Sequence, residues 1–90
     1  MLMLDITKAA YDFLREMEIK PFRQVMLNIL KLSKNPQPQD AKKLIGYEFY
    51  RIDTGEYRII FQAEDGVLKI ILVGKRNDDE VYHRLKNMYK

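Results

Sequence analysis

The chain predicts an α+β fold, a small antiparallel-rich sheet with an N-terminal helix hairpin packed on one face and a C-terminal helix, in the order β-α-α-β-β-β-α. Three observations predict it. Apolar residues recur at helical spacing through most of the first half, the second half changes to a strand-like pattern rich in aromatic and β-branched residues, and a last amphipathic stretch closes the sequence. At 90 residues, with hydrophobic content of 47% and charged content of 32%, the chain is expected to form one domain spanning 1–90.

Leu2 to Ile6 form a short apolar run, and Thr7 after it can end a strand and cap a helix. Ala10, Phe13, Leu14 and Met17 then mark a first amphipathic helix. Pro21 suits the first turn of a second helix, whose predicted apolar stripe is Phe22, Val25, Met26, Ile29 and Leu30, and the short link makes the two antiparallel neighbours. Asn35-Pro36-Gln37-Pro38 stops that helix, because proline lacks the amide hydrogen and its ring clashes with a continuing turn. A basic turn at Lys42-Lys43-Leu44 leads into three antiparallel strands, Tyr47 to Ile52, Tyr57 to Ala63 and Val67 to Val73, with turns at Thr54-Gly55 and Asp65-Gly66. Asn77, with Glu80 three positions on, makes a capping-box-like start for the last helix, whose apolar face is Val81, Tyr82, Leu85, Met88 and Tyr89.

Composition narrows the function. The absence of cysteine excludes disulfides, thiolate metal sites and cysteine nucleophiles, and suits a reducing cytoplasm. The opening Met1-Leu2-Met3-Leu4 gives way at once to Asp5, too short for a signal peptide or a membrane span. A net charge of +3 and a pI near 9.2 favour polyanions as partners.

The placement of the bases says more than their total. With Thr54-Gly55 as a two-residue loop, Arg51 falls directly opposite Arg58, and opposed like charges cost a sheet up to about 1 kcal/mol unless an anion sits between them. A three-residue loop with a glycine bulge would instead send the two to opposite faces. Lys75 and Arg76 precede the last helix, where free amide hydrogens and the positive dipole end favour phosphate. Asp78, Asp79 and Glu80 complement that dipole without a ligand, and as consecutive residues they point apart, so no metal or cofactor is assigned.

The run Asp40-Ala41-Lys42-Lys43-Leu44-Ile45-Gly46, the strand pair Tyr-Arg-Ile-x-x-Gly-Glu-Tyr-Arg-Ile-Ile-Phe of Tyr50 to Phe61, and Val73-Gly74-Lys75-Arg76 followed by Glu80-Val81-Tyr82 resemble the RelE/ParE toxin superfamily, on its RelE side, over nearly all of the chain. The resemblance implies a toxin of a type II toxin–antitoxin pair that cleaves messenger RNA on the ribosome. The implied chemistry is metal-independent attack by the 2′-hydroxyl, with Arg51, Arg58, Arg76 and Tyr82 in the catalytic positions. A cognate RelB-like antitoxin is implied as partner, a heterotetramer being one form of the complex. The sequence departs from the RelE pattern at Asp53, where the family carries a second basic residue.

In such a reaction charge gathers on the phosphoryl oxygens, so fixed guanidinium groups favour the transition state over the ground state. Arg58 and Arg76 are the expected clamp, with Arg51 orienting the phosphate or moving a proton. Tyr82 offers a ring for base stacking and a hydroxyl for proton transfer, although its spacing with Leu85 and Tyr89 is also that of a core stripe. Lys42, Lys43 and Lys75 could follow an RNA backbone, and His83, the single imidazole, falls on the polar helix face with Lys86 and Lys90. A solvated turn explains the two adjacent lysines equally well. Two alternatives from other classes stand beside the nuclease: a non-catalytic ParE-like inhibitor of DNA gyrase, and a weakened RNA-binding relative.

Overall fold

In the computed structural model, which describes residues 1–77 and 79–89, the chain runs β1 (Met3–Ile6), α1 (Lys8–Arg15), α2 (Ile19–Lys34), β2 (Lys42–Lys43), β3 (Tyr50–Thr54), β4 (Tyr57–Glu64), β5 (Val67–Lys75) and α3 (Glu80–Met88). The five strands form one sheet in the order β1-β5-β4-β3-β2. Pairing is antiparallel except for β1, which lies parallel to β5 from Met3↔Val67 to Ile6↔Ile70. The predicted element order therefore holds. The expected basic turn at Lys42-Lys43 is instead a two-residue edge strand, with Lys42 opposite Arg51 and Lys43 opposite Tyr50.

Each face of the sheet has its own core. α1 and α2 press Ala10, Leu14, Val25, Ile29 and Leu32 onto Ile52, Ile59, Phe61, Leu68, Ile70 and Val73. On the other face Val81 and Leu85 of α3 cover Ile60, Ile71 and Leu72, with Leu44 and Phe49 beside them. A slip in the β4–β5 ladder makes this second core possible: Ile60 pairs with Leu72 and Phe61 with Ile70, leaving Ile71 as the extra residue. A bulge of this kind interrupts strict alternation, so the adjacent Ile71 and Leu72 both face α3.

Thr7 joins strand to helix as predicted. Its amide donates to the Ile70 carbonyl at 3.1 Å, its hydroxyl donates to the Ile71 carbonyl at 2.7 Å, and the same oxygen accepts from the Ala10 amide at 3.1 Å. Pro21 sits in the first turn of α2, where its missing N–H has no intrahelical partner to lose. Leu30 departs from expectation: it is 48% exposed, and Leu32 and Ser33 take the buried positions. The stripe that meets the sheet is Val25, Ile29 and Leu32, spaced by four and three, and Leu30 falls outside its arc.

α3 begins at Glu80 with Asp79 as its N-cap and no side-chain cap bond, so the predicted capping box at Asn77 does not form. Of its predicted apolar face, Val81 and Leu85 are buried and Tyr82 is half-buried, whereas Met88 and Tyr89 are exposed. Tyr89 still meets the Phe49 ring edge-on at 5.2 Å between centroids. Asp78 of the acidic helix start and Lys90 of the predicted polar face lie outside the described residues. No helix among the described residues is long and apolar enough to cross a membrane.

Candidate nucleic-acid interface and arginine cluster

The β3–β4 hairpin sets the site, and its register differs from the expected one. Thr54 pairs with Tyr57, so the two-residue loop is Gly55-Glu56 and not Thr54-Gly55. The reason is steric. A two-residue hairpin loop needs a positive φ at its first position, which Gly55 adopts at 59° and which β-branched Thr54 strongly disfavours. Moving the loop by one residue moves the pairing by two, so Arg51 and Arg58 keep a common face but are no longer opposed. Arg51 lies opposite Ile60, and Arg58 lies opposite Asp53.

Asp53 is thus the anion that meets Arg58. Arg58 grips it side-on, Nε donating to Oδ1 at 2.7 Å and Nη2 to Oδ2 at 3.2 Å. The pair is only partly open to water, the side chains being 14% exposed for Arg58 and 33% for Asp53. Two-point contacts of this kind are among the stronger ion pairs. The Arg58 hydrogen bonds hold the Asp53 carboxyl below its ordinary value against the opposing effect of burial, and the charges of Arg58, Arg51 and Arg76 lower it further. Arg58 is correspondingly raised, first by its bond to Asp53. Of the three predicted arginines, Arg58 alone contacts this carboxylate.

Tyr82 completes the group. Arg58 Nη1 donates to the Tyr82 hydroxyl at 2.7 Å, and the guanidinium carbon lies 5.6 Å from the Tyr82 ring centroid, within range of a cation–π contact. Tyr82 arrives there because α3 sits close to β5 at Gly74, the residue opposite Arg58. A Cβ on Gly74 would stand 3.1 Å from Val81 Cβ and 3.4 Å from Val81 Cγ2. α3 is further anchored by Arg84, whose guanidinium donates to the carbonyls of Val73 at 3.4 Å and Ala9 at 3.5 Å and lies over the Phe13 ring.

Beside the cluster opens a cavity of about 340 Å³ lined by Lys43, Leu44, Ile45, Tyr47, Arg51 and Tyr82. Ile45 on its rim is 99% exposed. Lys42 is exposed opposite Arg51 on the edge strand, and Lys43 reaches Glu48 at 3.6 Å across solvent. Arg76 is exposed, its amide bonded to the Glu56 carbonyl at the hairpin tip. Among the described residues, no carboxylate lies within ion-pair distance of Arg51 or Arg76.

Two predicted residues stand apart from the group. Lys75 pairs with Tyr57, whose ring packs edge-on against Phe13, so Lys75 belongs to the opposite face and lines a groove by the α1–α2 link. His83 is exposed on α3. Three contributors were missed by the sequence reading: Asp53, seen only as a departure, Gly74, seen only as part of a motif, and Arg84. A glycine between a strand and a helix start was the available signal for close packing at position 74.

A five-stranded sheet with a helix pair on one face and a lone helix on the other is the fold this chain shares with solved RelE toxins. The family model described as the ParE toxin of the type II toxin–antitoxin system parDE matches residues 6–80. The chain belongs to that family, within the RelE/ParE group of toxins. It is similar to a chain of the intact Escherichia coli RelBE toxin–antitoxin complex, at 26% identity over 83% of this chain and 96% of that one, with a TM-score of 0.73. A chain of the archaeal RelE–RelB complex from Pyrococcus horikoshii OT3 gives 26% identity, 83% and 94% coverage and a TM-score of 0.73. The fold also matches a doubly substituted variant of the E. coli toxin RelE in the free state, with a TM-score of 0.81, 22% identity and coverage of 99% and 98%. None of the curated proteins matches the chain.

Proposed function

We infer that this toxin is a ribosome-dependent endoribonuclease that cuts messenger RNA without a metal, by attack of a 2′-hydroxyl on the neighbouring phosphodiester. The observation that carries the reading is a partly buried Arg58 bonded to both Asp53 and the Tyr82 hydroxyl, with Arg51 on the same face of the β3–β4 hairpin and Arg76 just past the end of β5. Arg58 is engaged by Asp53 and Tyr82, which makes Arg51 and Arg76 the groups best able to bind a scissile phosphate and neutralise charge as it develops. The adjoining cavity offers Tyr47 and Tyr82 as surfaces for an unstacked base, with Lys42 and Lys43 beside it for the backbone.

Purified protein added to ribosomes translating a defined messenger tests this: the expected result is cleavage within the translated region, and an intact messenger overturns it. The match to a ParE model supports a second reading, a toxin that blocks DNA gyrase. Inhibition of DNA supercoiling with no RNA cleavage would select it.

The chain's own partner is proposed to be a RelB-like antitoxin, since the similar structures include RelE–RelB complexes from a bacterium and an archaeon. A segment that folds on binding can cover much of a domain this small. Capture of the tagged chain from cells carrying its native operon is expected to recover one small companion protein, and failure to recover one counts against the assignment. Action on ribosomes would put this toxin in the cytoplasm.

A further inference from the structure

We propose that Asp53 is the general base of the cleavage, accepting the proton of the attacking 2′-hydroxyl. The inference rests on the nuclease reading above and assigns the proton acceptor that reading leaves unfilled. A proton acceptor must lie within hydrogen-bond reach of the nucleophile, beside the groups that bind the phosphate. Asp53 stands directly opposite Arg58 and two residues beyond Arg51 on the same face of β3, with a third of its side chain open to solvent. His83, the other candidate, is exposed on α3 and takes no part in the cluster.

The arrangement around Arg58 supports a division of labour. One edge of its guanidinium fixes the Asp53 carboxylate through Nε and Nη2, and Nη1 donates to the Tyr82 hydroxyl. Each carboxylate oxygen keeps a further lone pair free to accept a proton. Because the tyrosine oxygen accepts from Arg58, its own hydrogen is left to be donated elsewhere. A phosphate held by Arg51 and Arg76 would therefore lie between an acceptor and a donor that a single cation positions. The phosphate's negative charge also competes for the arginines and makes the carboxylate more basic on binding.

The step balances as follows. Asp53 takes the 2′-hydroxyl proton as the 2′-oxygen forms its bond to phosphorus. The bond from phosphorus to the 5′-oxygen breaks with its electron pair on that oxygen, which takes the Tyr82 proton. The products are a 2′,3′-cyclic phosphate and a free 5′-hydroxyl. Asp53 is then neutral and Tyr82 a phenolate, so the charge paired with Arg58 has passed from one edge of the guanidinium to the other. Proton exchange with water restores both groups.

Single-turnover cleavage on programmed ribosomes, with wild-type, Asp53→Asn and Asp53→Glu chains, tests the assignment. Binding to the same ribosomes, carrying a messenger whose A-site codon is 2′-O-methylated, is measured in parallel. Asp53→Asn is expected to slow cleavage about 100-fold or more without weakening binding. Asp53→Glu is expected to keep part of the rate and to move the acid limb of the pH–rate profile upward. Should the wild type cleave and Asp53→Asn cleave equally fast, or lose rate only in proportion to binding, the base assignment fails and the nuclease reading stands. If Asp53→Asn does not fold, an Asp53→Glu chain with an unmoved acid limb is equally decisive against it. No cleavage by the wild type would remove both.

Discussion

At Asp53 the chain supplies its own counter-ion to Arg58, and the consequences reach both stability and activity. The carboxyl is held below the ordinary value of 3.8 in the folded chain. Its contribution is therefore fully present above that value and is lost as pH falls below it toward the depressed one. Thermal unfolding from pH 6 down to pH 2 is expected to show a loss of stability on the acid side that is smaller in Asp53→Asn. A curve for that variant parallel to the wild type would contradict it. Arg58→Ala removes the partner of a partly buried carboxylate and is expected to cost about 1–3 kcal/mol. Arg76→Ala, at an exposed position, is expected to change stability by no more than about 0.5 kcal/mol. Growth after induction separates stability from function: both variants should relieve the arrest caused by the wild type, and equal arrest by all three would remove the arginines from the toxic mechanism.

The elements show where sequence patterns suffice and where they stop. Apolar spacing located all three helices and the three long strands, because burying one face of an element demands that spacing whatever the partner. The edge strand Lys42–Lys43 carried no such pattern, since it is only two residues long and exposed. Hairpin register is recoverable in principle from the refusal of a β-branched residue to take a positive φ, which rules Thr54 out of the first loop position and leaves Gly55-Glu56. The seat of α3 depends on Gly74. Gly74→Ala is expected to push Val81, and with it Tyr82, away from the sheet, costing about 1–3 kcal/mol by overpacking. Denaturant unfolding measures that cost, and an unchanged midpoint would show that α3 accommodates the methyl group without moving.

Across the whole molecule, a modest net charge of +3 leaves little general attraction for polyanions, so on the proposed reading affinity comes from the edge and face that carry Lys42, Arg51 and Arg76, with Lys43 lining the adjoining cavity. Replacing Lys42 and Lys43 together by alanine is expected to make ribosome binding less salt-sensitive, lowering the slope of log affinity against log salt by about 1. An unchanged slope would place the backbone contacts elsewhere. The convergence of bases from β2, β3 and the end of β5 on one side of the sheet could be anticipated from composition only as a tendency. That Lys75 belongs to the opposite side follows from strand pairing, which no single segment encodes. Asp53 was visible as a residue out of place, but its meaning required knowing that it faces Arg58.

The parallel pairing of β1 with β5 ties Met3 to Val67, and Thr7 bonds to Ile71. Contacts between residues so far apart in sequence cannot form early in synthesis, because the first strand has no neighbour to zip against until the fifth has left the exit tunnel. Arg76 and Tyr82 are made later still. Until β5 and α3 have emerged from the translating machine, Arg58 and Tyr82 have no fold to bring them together, an interval in which a partner can bind first.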